Sequence, residues 1–560
     1  MPIDEKIVVT AALPYSNGEL HLGHIVSTYL PADIFVRYLR HKGADVVFVC
    51  GGDDYGTPIL IQAEREGRSP EDYVEYWHQQ HIRDFNDAGI SFNLYYKTHS
   101  KENIELTQHF FKTLYERGYI YAREIEQYYC EYDGKFLPDR YVRGVCPFCG
   151  ASDQYGDGCE KCGRTYEPID LVDPRCAICG KPPLRRRSIH YFLKLSAFSN
   201  KLREWLESNG NLQSDVKNYV LSWIKNGLRD WDITRDIRWG VPIPLDEAKG
   251  KVLYGWFDNH IGYIAFTLKY FEDIGMGKDY GREFWNKAKI YHFIGKDIVY
   301  HHYLFLPAMR MGEGSFKLPD YIPTRGHLLL QGHKFSKSRG WYVSLREFLN
   351  LFPADYLRFY LALITPYSQA DVNFDWDEFQ SKVNSELINN IGNFIHRTLT
   401  FTWRSFNGRV PKPDSYDEMD DEMMIKIKDL EVDLTKLMDS LEFDKALKRI
   451  LEFSSFCNQY FQRKKPWKTM DPNCIYLSIN ATRTLAIVLD PFIPFSMRKL
   501  WSMLNMPGNI HNEYWSTAFK LEVREGHEIS KPQPLFRRIG DDEIKAQKEK
   551  LKTIEDRNQL

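Results

Sequence analysis

The sequence predicts a multidomain α/β protein whose parallel sheet is interrupted by a cysteine-rich insertion and followed by an all-α region. Three observations predict it: a strand–helix–strand alternation opens the chain, seven of ten cysteines crowd into residues 130–179, and apolar residues in the last third recur at spacings of three and four. With 560 residues there is room for about three or four domains. At 43% hydrophobic and 27% charged residues, the composition excludes collagenous, low-complexity and wholly disordered classes. No apolar run reaches the roughly 18 residues of a membrane helix, and the start, MPIDEKIVVTAALPY, carries acids where a signal peptide would be basic. A cytoplasmic protein is expected. The net charge of −2, from 74 Lys+Arg against 76 Asp+Glu, gives no global argument for a nucleic-acid partner. Any such partner must be argued locally.

The β-branched run Lys6 to Ala12 reads as a buried parallel strand. After a turn over Pro14 to Leu20, His21-Leu22-Gly23-His24 leads into a helix with Leu22, Ile25, Val26, Tyr29 and Leu30 at helical spacing, closed by Gly43. A second strand, Asp45 to Cys50, ends in Gly51-Gly52-Asp53-Asp54, which puts carboxylates at the sheet edge where ligands bind. Two imidazoles and a glycine at a helix N-terminus suit phosphate: helix-end amides attract the anion, and the histidines donate hydrogen bonds to developing charge. Far downstream, Lys334-Phe335-Ser336-Lys337-Ser338 is a lysine and serine loop fitted to a leaving polyphosphate. Either motif alone could be ordinary loop residues; together they are specific.

In the insertion, Cys146-x-x-Cys149-Gly150 and Cys159-x-x-Cys162-Gly163 have the spacing that folds four thiolates around zinc, with glycines free to turn the chain. Four protein ligands leave no open position, so this zinc is structural. A third knuckle, Cys176-x-x-Cys179, finds only Cys130-Glu-Tyr-Asp133 as partner. A second zinc site with three cysteines and one aspartate, and an empty site, both stay open.

H-L-G-H and K-F-S-K-S resemble the two signatures of class I aminoacyl-tRNA synthetases, and the zinc knuckle between them resembles that of the methionyl-tRNA synthetase family. The resemblance continues through Ala12 to Gly18, Trp256-Phe257-Asp258, Ile261-Gly262-Tyr263 and His292 to Tyr300, and covers nearly the whole chain. It departs at Phe335, where methionine is usual, and at Asn259-His260, where the family usually has Ala-Pro beside the substrate.

The resemblance implies a Rossmann-type catalytic domain in two halves, 1–117 and 235–325, split by a connective insertion over 118–234. A stem-contact segment over 326–390, an anticodon-binding bundle over 391–535 and a charged tail over 536–560 would follow. It implies methionine–tRNA ligase activity: L-methionine and ATP, with Mg2+, give methionyl-adenylate and pyrophosphate, and methionine then passes to the 3′-terminal adenosine of tRNA(Met). His21, His24, Lys334 and Lys337 would be catalytic, and Gly23, Gly295 and Asp297 would bind ATP with His21, His24 and Lys337. Asp53 would hold the methionine ammonium, and Leu13, Tyr15, Trp256, Tyr263, Ile298 and His302 its side chain, with His302 and the Tyr15 hydroxyl as donors to sulfur. The insertion is too short for the large editing domain of the isoleucine, valine and leucine enzymes.

In the helical third, Ile450, Leu451, Ser454, Cys457, Tyr460 and Phe461 mark one buried face. Asn393 and Arg397, at i and i+4, share a helix face, and Trp467 lies in the basic run Arg463-Lys464-Lys465-Pro466-Trp467-Lys468. These three match the family's anticodon readers; single-stranded bases are read by stacking and hydrogen bonds. Residues 458–468 hold four basic residues and no acid, whereas 414–433 hold nine acids and two lysines, so near-neutrality conceals a polarised helical region. The triple arginine Arg185-Arg186-Arg187 reads as a basic patch, and the charged end as a tail closing in a short solvated helix. The family's dimers use an extra C-terminal barrel, so a monomer is expected. No DNA or membrane partner is expected.

Overall fold

The computed structural model describes residues 5–558 except 157, 160, 163, 165 and 338, so Gly163 and Ser338 lie outside the described residues. Strand β1 (Lys6–Ala11) leads to helix α1, which has an α-helical start (Leu22–His24), a wider π-type stretch (Ile25–Tyr29) and an α-helical remainder (Leu30–His41). β2 (Asp45–Gly52), α2 (Pro70–Asp87) and β3 (Leu94–Lys97) follow. The insertion is built on β4 (Ile120–Cys130) and β5 (Leu184–Leu193), paired antiparallel. The chain returns through α3 (Gly255–Asp273), β6 (Lys289–Gly295) and β7 (Thr324–Arg325).

The main sheet has the order β7-β6-β1-β2-β3, and all its pairs are parallel. It is covered on both faces, which is why its strands read as continuous apolar runs. Ile7, Val9, Phe48 and Cys50 face one core, and Val8, Val47 and Val49 the other. The first core continues through α4 (Ala354–Ile364) into the C-terminal helices α5 (Asn393–Ser405), α6 (Glu418–Asp439), α7 (Phe443–Lys464) and α8 (Pro472–Leu489). Arg358 of α4, fully buried, ties these layers together: it bonds Asp33 of α1, the Gly89 carbonyl and the Phe492 carbonyl. Paired and hydrogen-bonded on each side, this buried charge has the partners its desolvation requires.

Three sequence expectations are corrected. The Arg185-Arg186-Arg187 patch is neutralised on the sheet surface, where Glu126, Glu131 and Glu124 of β4 and its following turn pair with the three in turn. The two strands are antiparallel partners, so cross-strand pairing sets the acids beside the arginines. Lys464 is buried and holds Asp417, Asp420 and Asp471, so one charge of the 463–468 run belongs to the bundle's interior, and two of its partners come from the acidic 414–433 segment. The final helix, α9 (Asp541–Asn558), is long rather than short, and it is docked: Ile544 and Leu551, two turns apart, are buried against the Trp376–Lys382 helix region. Among the described residues, no helix is long and apolar enough to cross a membrane.

Candidate active site

At the carboxyl ends of β1, β2 and β6 lies a cavity of about 410 Å³. It is lined by Leu13, Tyr15, His21, Gly23, His24, Trp256, Tyr263, Gly295, Asp297, Ile298, His302 and Lys334, twelve of the residues the sequence singles out. Asp53 and Lys337 stand just outside this lining. A larger recess of about 860 Å³ between the insertion and Arg229–Arg235 holds none of them.

His21 precedes the first turn of α1 and His24 ends it; their rings stack at 3.7 Å, and the His21 amide donates to His24 Nδ1 at 3.0 Å. Gly23 eases this stack, because a Cβ there would lie 3.0 Å from the His21 ring and press on it. The neighbour that crowds Gly23 is thus His21 itself. Burial, with Lys337 adding, drives His21 down to about 3, and burial with His21 and Lys337 pushes His24 well below its usual range. Both rings are therefore neutral at physiological pH, each with one N–H to give. Phe335 stacks on His21 at 5.0 Å, so the residue that replaces methionine in the second motif covers the first motif. Lys337 is exposed, and its amine stands 3.3 Å from where a Cβ on Gly18 would be. Behind these groups, His81 Nε2 holds the Gly18 carbonyl at 2.9 Å. Its place on α2 gave no sequence signal. Asp297 pairs with His327 at 3.3 Å, a partner the sequence reading also missed.

The other end of the cavity is aromatic. Trp256 stacks on His301 at 3.8 Å, and the Tyr263 ring on His292 at 4.8 Å. His302, expected to donate to sulfur, is already engaged: Nε2 meets the Tyr263 hydroxyl at 2.9 Å and Nδ1 the Ile298 carbonyl at 3.0 Å. Burial lowers it to about 4, so it is neutral and has a single proton. A carbonyl only accepts, so that proton goes to Ile298, the Tyr263 hydroxyl donates to Nε2, and neither group is a free donor. Asp53 is buried behind the lining, its backbone bridged to Pro14 and Ser16. Its Oδ2 accepts from the Asn259 amide at 3.3 Å. Burial pushes its carboxyl up, and the Asn259 hydrogen bond opposes this.

In the insertion, the thiols of Cys146, Cys149, Cys159 and Cys162 converge, with ligand atoms all within 4.8 Å of one another. Cys149 and Cys159 sulfurs lie 3.6 Å apart and are unbonded, as a shared metal centre and not a disulfide requires. The second group converges likewise: Asp133 Oδ2 is 3.1 Å from the Cys130 sulfur and 3.0 Å from that of Cys176, and Cys179 is 3.5 Å from Cys130. Both groups could hold a metal ion.

On the helical region, Asn393 opens α5 and bonds Asn458, while one turn on Arg397 bonds Gln462. The Arg397 guanidinium lies 5.6 Å from the Trp467 ring. That tryptophan is 42% exposed, on a one-turn helix set between Lys465 and Met470, both with left-handed backbone. All three residues thus share one exposed face.

Residues 7–399 match the family model described as tRNA synthetases class I (M), and residues 420–556 that of the anticodon-binding domain of tRNA ligase. A protein of Methanopyrus kandleri named methionine–tRNA ligase is 45% identical over 97% of this chain and 81% of its own length. Its namesake in Pyrococcus abyssi is 44% identical, over 96% of this chain and 76% of its own. The fold is shared with the Mycobacterium tuberculosis methionyl-tRNA synthetase solved with methionyl-adenylate, at a TM-score of 0.79 and 23% identity over 95% of this chain and all of that one. Matched along both its α/β and helical regions, the chain belongs to the methionine–tRNA ligases, a family of class I aminoacyl-tRNA synthetases.

Proposed function

We propose that this cavity joins L-methionine to ATP and that the chain hands the product to tRNA(Met), for translation initiation and elongation. The observation that carries this reading is the convergence of both signature motifs and the aromatic pocket on one cavity. A methionine carboxylate oxygen attacks the α-phosphorus, and the bond from that phosphorus to the bridging oxygen breaks, releasing pyrophosphate. The nucleophile is already ionised, so no general base is needed, and catalysis consists of positioning and charge stabilisation. Neutral His21 and His24 donate to the phosphates, Lys334 and Lys337 balance charge on the leaving pyrophosphate, and Gly295 and Asp297 seat the adenosine. Mg2+ arriving with ATP supplies further charge neutralisation. Asp53 receives the ammonium, and Leu13, Tyr15, Trp256, Tyr263 and Ile298 enclose the thioether beside His302. In the second step the 2′-hydroxyl of the terminal adenosine attacks the acyl carbon of the adenylate, the acyl–phosphate bond breaks, and AMP leaves together with the hydroxyl proton. The experiment is amino-acid-dependent ATP–pyrophosphate exchange with a panel of amino acids: exchange with methionine is expected, and exchange with leucine or cysteine but not methionine would overturn the reading.

The same reading assigns 1–117 and 235–325 to the catalytic core, 118–234 to the connective insertion, 326–390 to stem contact, 391–535 to the anticodon bundle and 536–560 to the tail. Structural zinc suits both cysteine groups, because three or four sulfurs with or without a carboxylate are a zinc donor set. Elemental analysis is expected to find two zinc ions per chain and only one in Asp133→Ala; one ion in the unaltered protein would mean the second group is empty. Reduced cysteines held for metal also suit the cytoplasm. A monomer is proposed, and light scattering at twice the chain mass would contradict it.

A further inference from the structure

Asn259 occupies the second full turn of α3 and is only 6% exposed, yet it lines the cavity. A carboxylate can only accept, so the Asn259 amide nitrogen must be the atom that faces Asp53 Oδ2, at 3.3 Å. The amide carbonyl is then directed elsewhere. It has no partner, and the second carboxylate oxygen of Asp53 makes no well-formed hydrogen bond, although the Tyr55 backbone N–H also acts on that carboxyl; both oxygens are buried. A buried acceptor short of a donor is costly, and a pair of them on two touching side chains is not a packing accident that apolar neighbours relieve. Their shared need is a donor group with several N–H bonds and a positive charge. A primary ammonium has three donors and no acceptor.

We propose that Asn259 is a second binding residue for the α-ammonium group of the amino acid, its amide N–H fixing Asp53 and its carbonyl oxygen accepting directly from the ammonium. This rests on the proposed seating of the ammonium at Asp53 and extends it: the site is a two-oxygen cradle of one carboxylate and one amide. The amide contributes no charge, so the cradle gains an acceptor without setting a further carboxylate beside Asp53, Asp54 and Asp258, whose carboxyls burial already pushes up.

The test uses the full chain with two ligands that differ only in the ammonium: L-methionine and 4-(methylthio)butanoate. Asn259→Ala is expected to weaken L-methionine binding at least tenfold while changing the binding of 4-(methylthio)butanoate less than twofold. Asn259→Ser, which keeps a shorter acceptor, is expected to lose less than the alanine variant. Equal weakening of both ligands would overturn the proposal, since it would mark Asn259 as a packing residue of the pocket. No weakening of either would overturn it too. The two claims fail separately: unaltered protein that exchanges pyrophosphate with methionine, combined with an indifferent Asn259→Ala, removes the cradle alone, whereas absence of methionine-dependent exchange in the unaltered protein removes the function on which the cradle rests.

Discussion

Replacing Lys337 by Ala is expected to slow methionine-dependent pyrophosphate exchange by about 100- to 1,000-fold, the usual loss when one preorganised charge-stabilising group is removed. The side chain is exposed, on the turn between Ser336 and Gly340, so the fold should be unaffected. Its charge already acts on His21 and His24, helping to hold both rings neutral. The amine stands beside Gly18, close to the histidine pair, and in the proposed reaction negative charge builds there as the phosphorus–oxygen bond breaks. The affinity for methionine should change little, because the aromatic end and Asp53 are built from other segments. A loss confined to the rate with methionine binding intact separates transition-state stabilisation from uniform binding. Parallel loss of methionine binding would show that Lys337 supports the pocket instead.

Trp467→Ala is expected to lower tRNA charging efficiency by about 10- to 100-fold while leaving pyrophosphate exchange unchanged, because a base stacked on an aromatic ring contributes about 1–3 kcal/mol. The ring is half exposed and backed by Phe461 and the Arg397 guanidinium, so its outer face is available. Its one-turn helix sits between two non-glycine residues in left-handed backbone, which costs about 1–3 kcal/mol each. Lys465 sits directly after Lys464, whose three carboxylate partners anchor the chain at that point. The buried lysine thus fixes the turn that presents the tryptophan. Equal loss of exchange and charging would contradict the assignment.

How much of this was legible depended on the kind of signal. The parallel sheet announced itself because both of its faces are covered, and the strands carry the apolar runs Ile7–Val9 and Val46–Cys50 without the alternation of a half-exposed strand. The motif residues were legible because H-L-G-H and K-F-S-K-S are contiguous. Their mutual packing was not: Phe335 stacks on His21 across more than 300 residues, and Gly23 makes room for the His21 ring through a local turn geometry that the motif letters do not display. His81 and His327 were missed for the same reason, each being an isolated histidine whose partner is remote in sequence. The charge readings failed most clearly. Arg185 to Arg187 and Lys464 look like free positive charge in a linear sequence, and each is paired across a strand or between helices once the chain folds. At His302, both ring nitrogens are engaged by Tyr263 and Ile298 in the folded chain, contacts that the motif letters do not display.

The departure at Asn259 takes on meaning only in the folded chain. In sequence it is a polar residue where alanine is usual; in space it is bonded to Asp53, and two buried oxygens there make no well-formed hydrogen bond. The measurement that tests the central claim most directly is a crystal structure with L-methionine and a non-hydrolysable ATP analogue. The expected result is the methionine ammonium at Asp53 and Asn259, the thioether against Trp256 and Tyr263, and the phosphates beside His21, His24 and the Lys334–Lys337 loop. Either ligand bound outside this cavity, or methionine seated with its ammonium away from Asp53, would contradict the account.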